Sequence, residues 1–584
     1  MQGLKRILQN VDILIHIFRM LDIDDQIRLS KVCQAFRNIF ELYIFTKEDY
    51  SSLTVNANRD YYVVNNESEC NRLVLKRKEL NEFLDYHRFR VQSFTERKGS
   101  ILDIRPFCNL TQLHYSFMTI TWEHLKAFAK FPNIATQLEE LVVDCCLDES
   151  WRSLMIGNTW KVDWLMPMKN LHRLKVNMPH IKKNWTRLSY HNFQKIITNL
   201  QLEDLDLRCI VQPGRQGRQQ HPIPNSPLRE LNIGINFGSK ADLTPYLTML
   251  EHLVTLTLTV DGIVNQKMLN DIATVCVNLE GLHFQTSSFE EIKTFVIPAK
   301  VTAASLYRCY GLSPENFQQI LSVAHLVKLS ITETKVNVIE NQGLSPSIEY
   351  LDINDDQWNS NLILAFGGSE HLKYLHWHAC DFDRHVAANE AALRRCSSLE
   401  VLDLKVGHLS LDTLSHLQCL TKLTLPPSMP TLSWSLIVGV LKNPNLKEFV
   451  LNKYCKARDL EIDEAEIPRW GFPLALNTIR ITLDIFCMAL DFWFDVFNQN
   501  PHLQLGVYNF RGDPEYMRVI INHEKFPKSL RTLDICHFVI KCRDLRQSVE
   551  ATMAKLKQDI EHFKYENDEY MFRIIFDRNL GLTQ

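Results

Sequence analysis

One short pattern, L-x-x-L-x-L, returns along most of this 584-residue chain and constrains its fold more than any other feature. Clear copies begin at Leu138, Leu171, Leu202, Leu228, Leu253, Leu279, Leu326, Ile348, Leu372, Leu399, Leu420, Leu446, Leu476 and Leu530, with weaker ones at Leu110, Val301 and Leu503. Their mean spacing is about 26 residues. In each copy the fourth, fifth and sixth residues alternate apolar, polar, apolar, as in a strand with one buried face. Helical stretches such as Trp122 to Phe131 and Asn192 to Leu200 lie between the strands. One strand and one helix cannot bury their apolar faces alone, whereas stacked units share a continuous core beneath a curved parallel sheet.

A second signal lies in Leu8 to Phe40, at the N-terminal end. Leu14, Ile17, Phe18 and Leu21 fall at i, i+3, i+4 and i+7 and form an apolar helical stripe. The acidic break Asp22-Ile23-Asp24-Asp25 supplies N-cap candidates for a further helix, which carries Leu29, Val32, Cys33, Phe36 and Phe40. Helices this short bury too little apolar surface to stand alone and need a partner, in this chain or another.

The ordered set Asp12-Ile13-Leu14, Ile17-Phe18, Leu21, Asp25, Val32-Cys33 and Phe36 resembles the F-box. Asp12 stands where that family carries Glu, and Gln26 where it carries an apolar residue. Gln9-Asn10 replaces the family's Leu-Pro opening, which removes a helix-start signal and an apolar contact. The resemblance implies a Skp-type adaptor bound through Ile13, Leu14, Ile17, Phe18, Leu21, Val32 and Phe36, and through the adaptor a cullin. It further implies the substrate-recognition subunit of a Skp–cullin–F-box ubiquitin ligase, which performs no chemistry and presents a protein target for ubiquitination and proteasomal degradation. The alternative is a non-catalytic leucine-rich-repeat scaffold unrelated to ubiquitin, whose N-terminal hairpin docks on its own chain.

The repeat itself resembles the leucine-rich repeat. Cys146, Cys309 and Cys380 at the ninth position resemble the cysteine-type repeat common in F-box proteins, where the thiol serves buried loop carbonyls. The expected architecture is α/β: a leucine-rich-repeat solenoid, a parallel sheet horseshoe with outer helices, behind a small all-α F-box hairpin. Its expected divisions are 1–46 for the F-box-like helices, 47–100 for a linker and N-terminal cap, 101–540 for about 17 repeats and 541–584 for a closing helix and strand. Glu79 to Tyr86 reads as a helix, Val91 to Phe94 as a degenerate early repeat, Ser548 to Phe563 as the closing helix and Met571 to Phe576 as the closing strand. Insertions at 147–170 (with Trp151, Trp160 and Trp164), 211–227 and 456–473 interrupt the period.

Composition narrows the function. A net charge of −3 gives no footprint for nucleic acid or an anionic membrane surface. Fifteen mostly isolated cysteines read as reduced core thiols of a cytoplasmic or nuclear protein, and there is neither a signal segment nor a long apolar run. Phosphate-loop, H-E-x-x-H and C-x-x-C motifs are absent, no spacing suggests a catalytic triad, and no cofactor is expected. His376, His378, Cys380 and His385 suggest a metal site at first sight, but their repeat positions point them apart, so no metal is expected either. Binding remains. Positions five, seven and eight line the sheet's open face, and polar residues are densest at Asp352, Asn354, Asp355, His376, His378, Asp403 and Lys405, the expected target-binding set. A merely solvated face is the competing reading for that set, and the Trp-containing insertion and the C-terminal end are rival sites.

Overall fold

The structure, a computed structural model, describes residues 11–21, 23–30, 32–39, 50–57, 62–66, 72–97, 102, 104–105, 107–118, 131–145, 162–177, 187–212, 226–237, 252–334, 345, 347–355, 370–379, 386–404, 409–425, 434–451, 475–482, 489–500, 503–509, 532–538, 563–567 and 571–577. They fall into two compact units, Met1–Ile263 with Asn270–Gly281, and Val264–Leu269 with Leu282–Gln584.

The first unit opens with three short helices, α1 (Val11–Met20), α2 (Ile23–Ser30) and α3 (Gln34–Ile39). Strands β1 (Ser52–Ala57), β2 (Tyr62–Asn66) and β3 (Arg72–Leu75) follow as an antiparallel meander, then α4 (Arg77–His87) and β4 (Ser93–Arg97). From β1 and β4 onward the pairing is parallel, through Gln112–Met118, Glu140–Cys145, Arg173–Asn177, Asp204–Gln212, Glu230–Phe237 and Thr255–Val264. The register places Leu53, Phe94, Leu113, Leu141, Leu174, Leu205, Leu231 and Leu256 in one buried row. This parallel ladder reaches back to residue 52, inside the stretch read as linker and cap. The leucine pattern misses β1 because Tyr50 fills its first position, and it shows the next copy only as a degenerate one because Val91, Phe94 and Glu96 fill the first, fourth and sixth, all of them buried. The helix expected over Glu79 to Tyr86 is present within α4, and the degenerate early repeat expected at Val91 to Phe94 supplies β4.

The second unit repeats the same logic. Ala303–Tyr307, Lys328–Thr332, Tyr350–Asp355, Tyr374–Ala379, Val401–Leu404, Lys422–Leu425, Glu448–Leu451, Thr478–Thr482, Gln504–Asn509 and Thr532–Phe538 pair in parallel in chain order. Leu329, Leu351, Leu375, Leu402, Leu423, Phe449, Ile479 and Leu505 form its fourth-position row. Met571–Asp577 pairs antiparallel with the last parallel strand and with Phe563–Asn567, so this end is closed by a hairpin. The expected strand at Met571 is therefore present; of the helix expected over Ser548 to Phe563, Phe563 instead opens a strand and the rest lies outside the described residues, as do Trp122, Trp151, Trp160, Cys146, Cys380 and the 456–473 insertion. Trp164 is described, and is buried in a short 3-10 turn.

Local chemistry explains the elements. Ser189, Ser313 and Ser410 N-cap the helices Tyr190–Asn199, Pro314–Leu321 and Leu411–His416, each accepting a bond from the backbone N–H three residues on. At the ninth position, the thiol of Cys309 donates to the carbonyls of Phe284 (3.5 Å) and Tyr307 (3.6 Å). In the next repeat the Thr334 hydroxyl does the same for Leu306 and Thr332, both at 3.0 Å. Burial pushes the Cys309 thiol up to about 12, so it stays protonated and keeps its donor. The residues before this rung, Thr286, Arg308 and Glu333, all take positive φ (47°, 52° and 47°).

Candidate functional site

Two surfaces qualify, one helical and one on the sheet. In the helical hairpin α1 and α3 pack through Phe18 and Phe36, whose rings meet edge to face with centroids 5.9 Å apart at 82°. Leu14 (3% exposed) and Phe18 (0%) face inward. Ile13 (41%) and Val32 (68%) face outward with Val11, while Ile17, Leu21 and Phe36 are half-buried. Three of the seven large apolar side chains left exposed among the described residues therefore belong to this hairpin: Val11 and Ile13 on α1, and Val32 in the turn between α2 and α3, where the single further helix expected to carry Leu29 to Phe40 is broken in two. Such a concentration of uncovered apolar surface is characteristic of a docking face. Gln26, where the F-box pattern has an apolar residue, turns its amide NH2 onto the carbonyls of Phe18 (2.7 Å) and Leu21 (3.0 Å), and so closes the C-terminal end of α1. The Gln9-Asn10 departure lies outside the described residues.

On the sheet, odd positions three, five and seven project away from the core. In the first unit many of the charges there pair with one another, although Glu230 adds a third carboxylate to the row that Arg173 serves. Arg173 pairs with Asp204 (2.7 Å) and Glu140 (3.3 Å), His114 lies 2.9 Å from Glu140, Lys175 reaches Asp206 at 3.2 Å, and Asn177 donates to Asp144 at 2.6 Å. In the second unit the register sets Ser330, Asp352, His376, Asp403 and Thr424 side by side in the fifth-position row. Ser330 donates to Asp352 at 3.0 Å, the His376 ring lies 2.8 Å from Asp352 through Nδ1 and 3.9 Å from Asp403 through Nε2. His378 meets Asn354 at 2.8 Å. Thus five members of the expected target set, Asp352, Asn354, His376, His378 and Asp403, are brought together. Asp355 belongs to the Tyr350 strand without a described side chain, and Lys405 lies outside the described residues.

Tyr350 and Tyr374 are the members that the fifth-, seventh- and eighth-position reading omitted. They occupy the third position, stack at 4.2 Å with 7° between their planes, and border the acidic row. Burial raises both phenols, with the carboxylate of Asp352 acting the same way, so both remain neutral donors. The signal that finds them is parity, since the third position shares a face with the fifth. Of the four metal-like residues, Cys380 and His385 lie outside the described set, and no group of three His, Cys, Asp or Glu able to hold a metal occurs among the described residues.

The F-box domain model matches residues 10–48. Among solved structures, an internalin from Listeria monocytogenes str. 4b F2365 is 12% identical, with 67% of this chain and 89% of that chain covered at a TM-score of 0.25. CroV588, described as a circular leucine-rich-repeat protein, is 10% identical, with 72% and 60% covered at a TM-score of 0.27. No curated protein matches the chain. The strand registers set out above, not these distant likenesses, carry the repeat assignment: an F-box domain precedes a leucine-rich-repeat body.

Proposed function

We propose that this chain is the substrate-recognition subunit of a Skp–cullin–F-box ubiquitin ligase, acting in the cytoplasm or nucleus. The observation that carries the reading is the match over residues 10–48 to helices that leave Val11, Ile13 and Val32 uncovered. A Skp-type adaptor covers that surface, with Ile17, Leu21 and Phe36 completing the contact and Leu14 and Phe18 supporting it from inside. A cullin joins through the adaptor. The repeat body holds the target by the polar face around Asp352 and His376. It contributes no bond-making group: it raises the local concentration of target lysines at the ubiquitin thioester, and degradation by the proteasome follows.

The test is co-purification of the full chain with a Skp-type adaptor. Truncating a large apolar anchor at an interface costs on the order of 2–4 kcal/mol, or about 30- to 1,000-fold in affinity. Ile13→Asp with Val32→Asp alters the surface without touching the Phe18–Phe36 core, so adaptor capture should fall by at least that range while circular dichroism stays unchanged. Normal capture by this variant, or none by the unaltered chain, would leave a repeat scaffold unconnected to ubiquitin.

A further inference from the structure

The Asp352–His376–Asp403 row carries two carboxylates and neither a lysine nor an arginine. Both carboxylates have neutral neighbours in the row, Ser330 on one side and Thr424 on the other. One imidazole cannot neutralise two carboxylates, so the row is net negative in either protonation state. Nearby cations stand in the third-position row instead: Lys328 beside Tyr350, and Lys422 held by Glu448 at 2.9 Å. Nor is the row satisfied from within, because His376 Nε2 and Asp403 Oδ1 have neither solvent contact nor a hydrogen-bond partner among the described residues. Buried polar atoms in that condition cost about 1–3 kcal/mol each. In the first unit Lys175 stands against Asp206 and Arg173 against Asp204, whereas no lysine or arginine occupies the Asp352 row from Ser330 to Thr424.

Geometry then selects the partner. Three groups on successive strands stand in line, and do not converge on a point as a metal ion requires. Strands ~4.8 Å apart place the two carboxylate positions about 10 Å from each other. A polyproline-type segment has three residues per turn and rises ~3.1 Å per residue, so its residues i and i+3 project on one side about 9 Å apart. Tyr350 and Tyr374, stacked along the same border, offer an apolar wall for the methylene stems of long cationic side chains and for the residues between them.

We propose that this row recognises an extended target segment with two basic residues three positions apart, one against Asp352 and one against Asp403. The inference rests on target recognition by the repeat face, and deepens it by naming the substrate class.

Fluorescence anisotropy with the full chain and a short fluorescein-labelled peptide containing a Lys-Pro-Pro-Lys core tests it. Control peptides carry Glu-Pro-Pro-Glu or Lys-Pro-Lys cores. The unaltered chain should bind the first peptide and neither control. Asp352→Asn and Asp403→Asn should each weaken binding about five-fold, as for partly exposed charge pairs, and together remove it. Raising salt should weaken binding to the unaltered chain, a readout that needs no variant. No binding by the unaltered chain, equal binding of either control, or indifference to both Asn substitutions overturns the proposal. Adaptor capture measured on the same proteins separates the two readings: adaptor retained with peptide indifferent to Asp352 and Asp403 condemns only this inference, and adaptor never captured condemns the ligase reading.

Discussion

Glu96 is a carboxylic acid at the sixth position of its repeat, where neighbouring repeats place Val143, Val176 or Leu207. It is fully buried, accepts one bond from the Leu102 N–H at 3.1 Å, and its Oε1 has no hydrogen-bond partner among the described residues. Burial lifts its pKa from 4.5 to about 7, against smaller opposing effects of that backbone bond and of Arg77. A folded value above the unfolded one means that the folded chain holds the proton longer. The contribution is therefore complete below pH 4.5 and lost as pH rises through about 7. His87, also buried, is depressed to about 3 by burial and by Arg90, and acts in the other direction: its contribution is complete above 6.5 and lost as pH falls through about 3. Glu96→Gln keeps the shape and removes the ionisation. The variant should match the parent near pH 4.5 and gain on it progressively, by roughly 2–3 kcal/mol at pH 8. Urea denaturation across that range isolates Glu96, because His87 is common to both proteins. A difference that stays flat with pH would contradict the assignment.

At the scale of elements, one glycine reconciles two strands. Pairing between Asp204–Gln212 and Glu230–Phe237 shifts after Leu207↔Ile233 to Ile210↔Gly234, so Arg208 and Cys209 form a bulge. A Cβ on Gly234 would come within 2.5 Å of the Cys209 carbonyl oxygen, a backbone atom that cannot swing aside. Gly234→Ala should therefore destabilise the first unit by about 1–3 kcal/mol, read as a lower urea midpoint, despite alanine's usual advantage over glycine. A midpoint equal to or above the parent's would mean that the bulge relaxes freely. No sequence pattern announces this bulge, whereas the rows it joins were plain from the fourth-position leucines. Register is legible because a one-residue slip would turn every leucine outward. The first strand of the ladder is not, since Tyr50 fills its first leucine position, and the next copy is legible at Val91 and Phe94 only as a degenerate repeat because Glu96 fills its sixth. In the hairpin, periodicity found the stripe of Leu14, Ile17, Phe18 and Leu21, yet could not say which flank α3 would cover. That choice depends on Phe36 meeting Phe18, a tertiary contact, and it leaves Ile13 and Val32 outside.

For the molecule as a whole, a stack of parallel strands must end somewhere, and an uncovered end strand would present unpaired N–H and C=O groups to any passing chain. Each unit has its own answer. In the first, β1 receives the antiparallel β2 and β3, and α2 lies against β3. Helix α2 thus lies on the edge strand as well as belonging to the hairpin that exposes Val11, Ile13 and Val32, which ties the proposed adaptor site to the order of the repeats behind it. In the second, the Thr532–Phe538 strand is covered along its full length by Met571–Asp577 and then by Phe563–Asn567. Removing residues 563–584 leaves the alternating strand Thr-Leu-Asp-Ile-Cys-His-Phe as an open edge, a template for pairing with a second copy. Light scattering on the shortened chain should show dimers and larger species at concentrations where the full chain is monodisperse. Binding of the Lys-Pro-Pro-Lys peptide should persist, because repeat contacts are local and the Asp352 row lies several strands away from that edge. A shortened chain as monodisperse as its parent would show that the hairpin is not what closes this end.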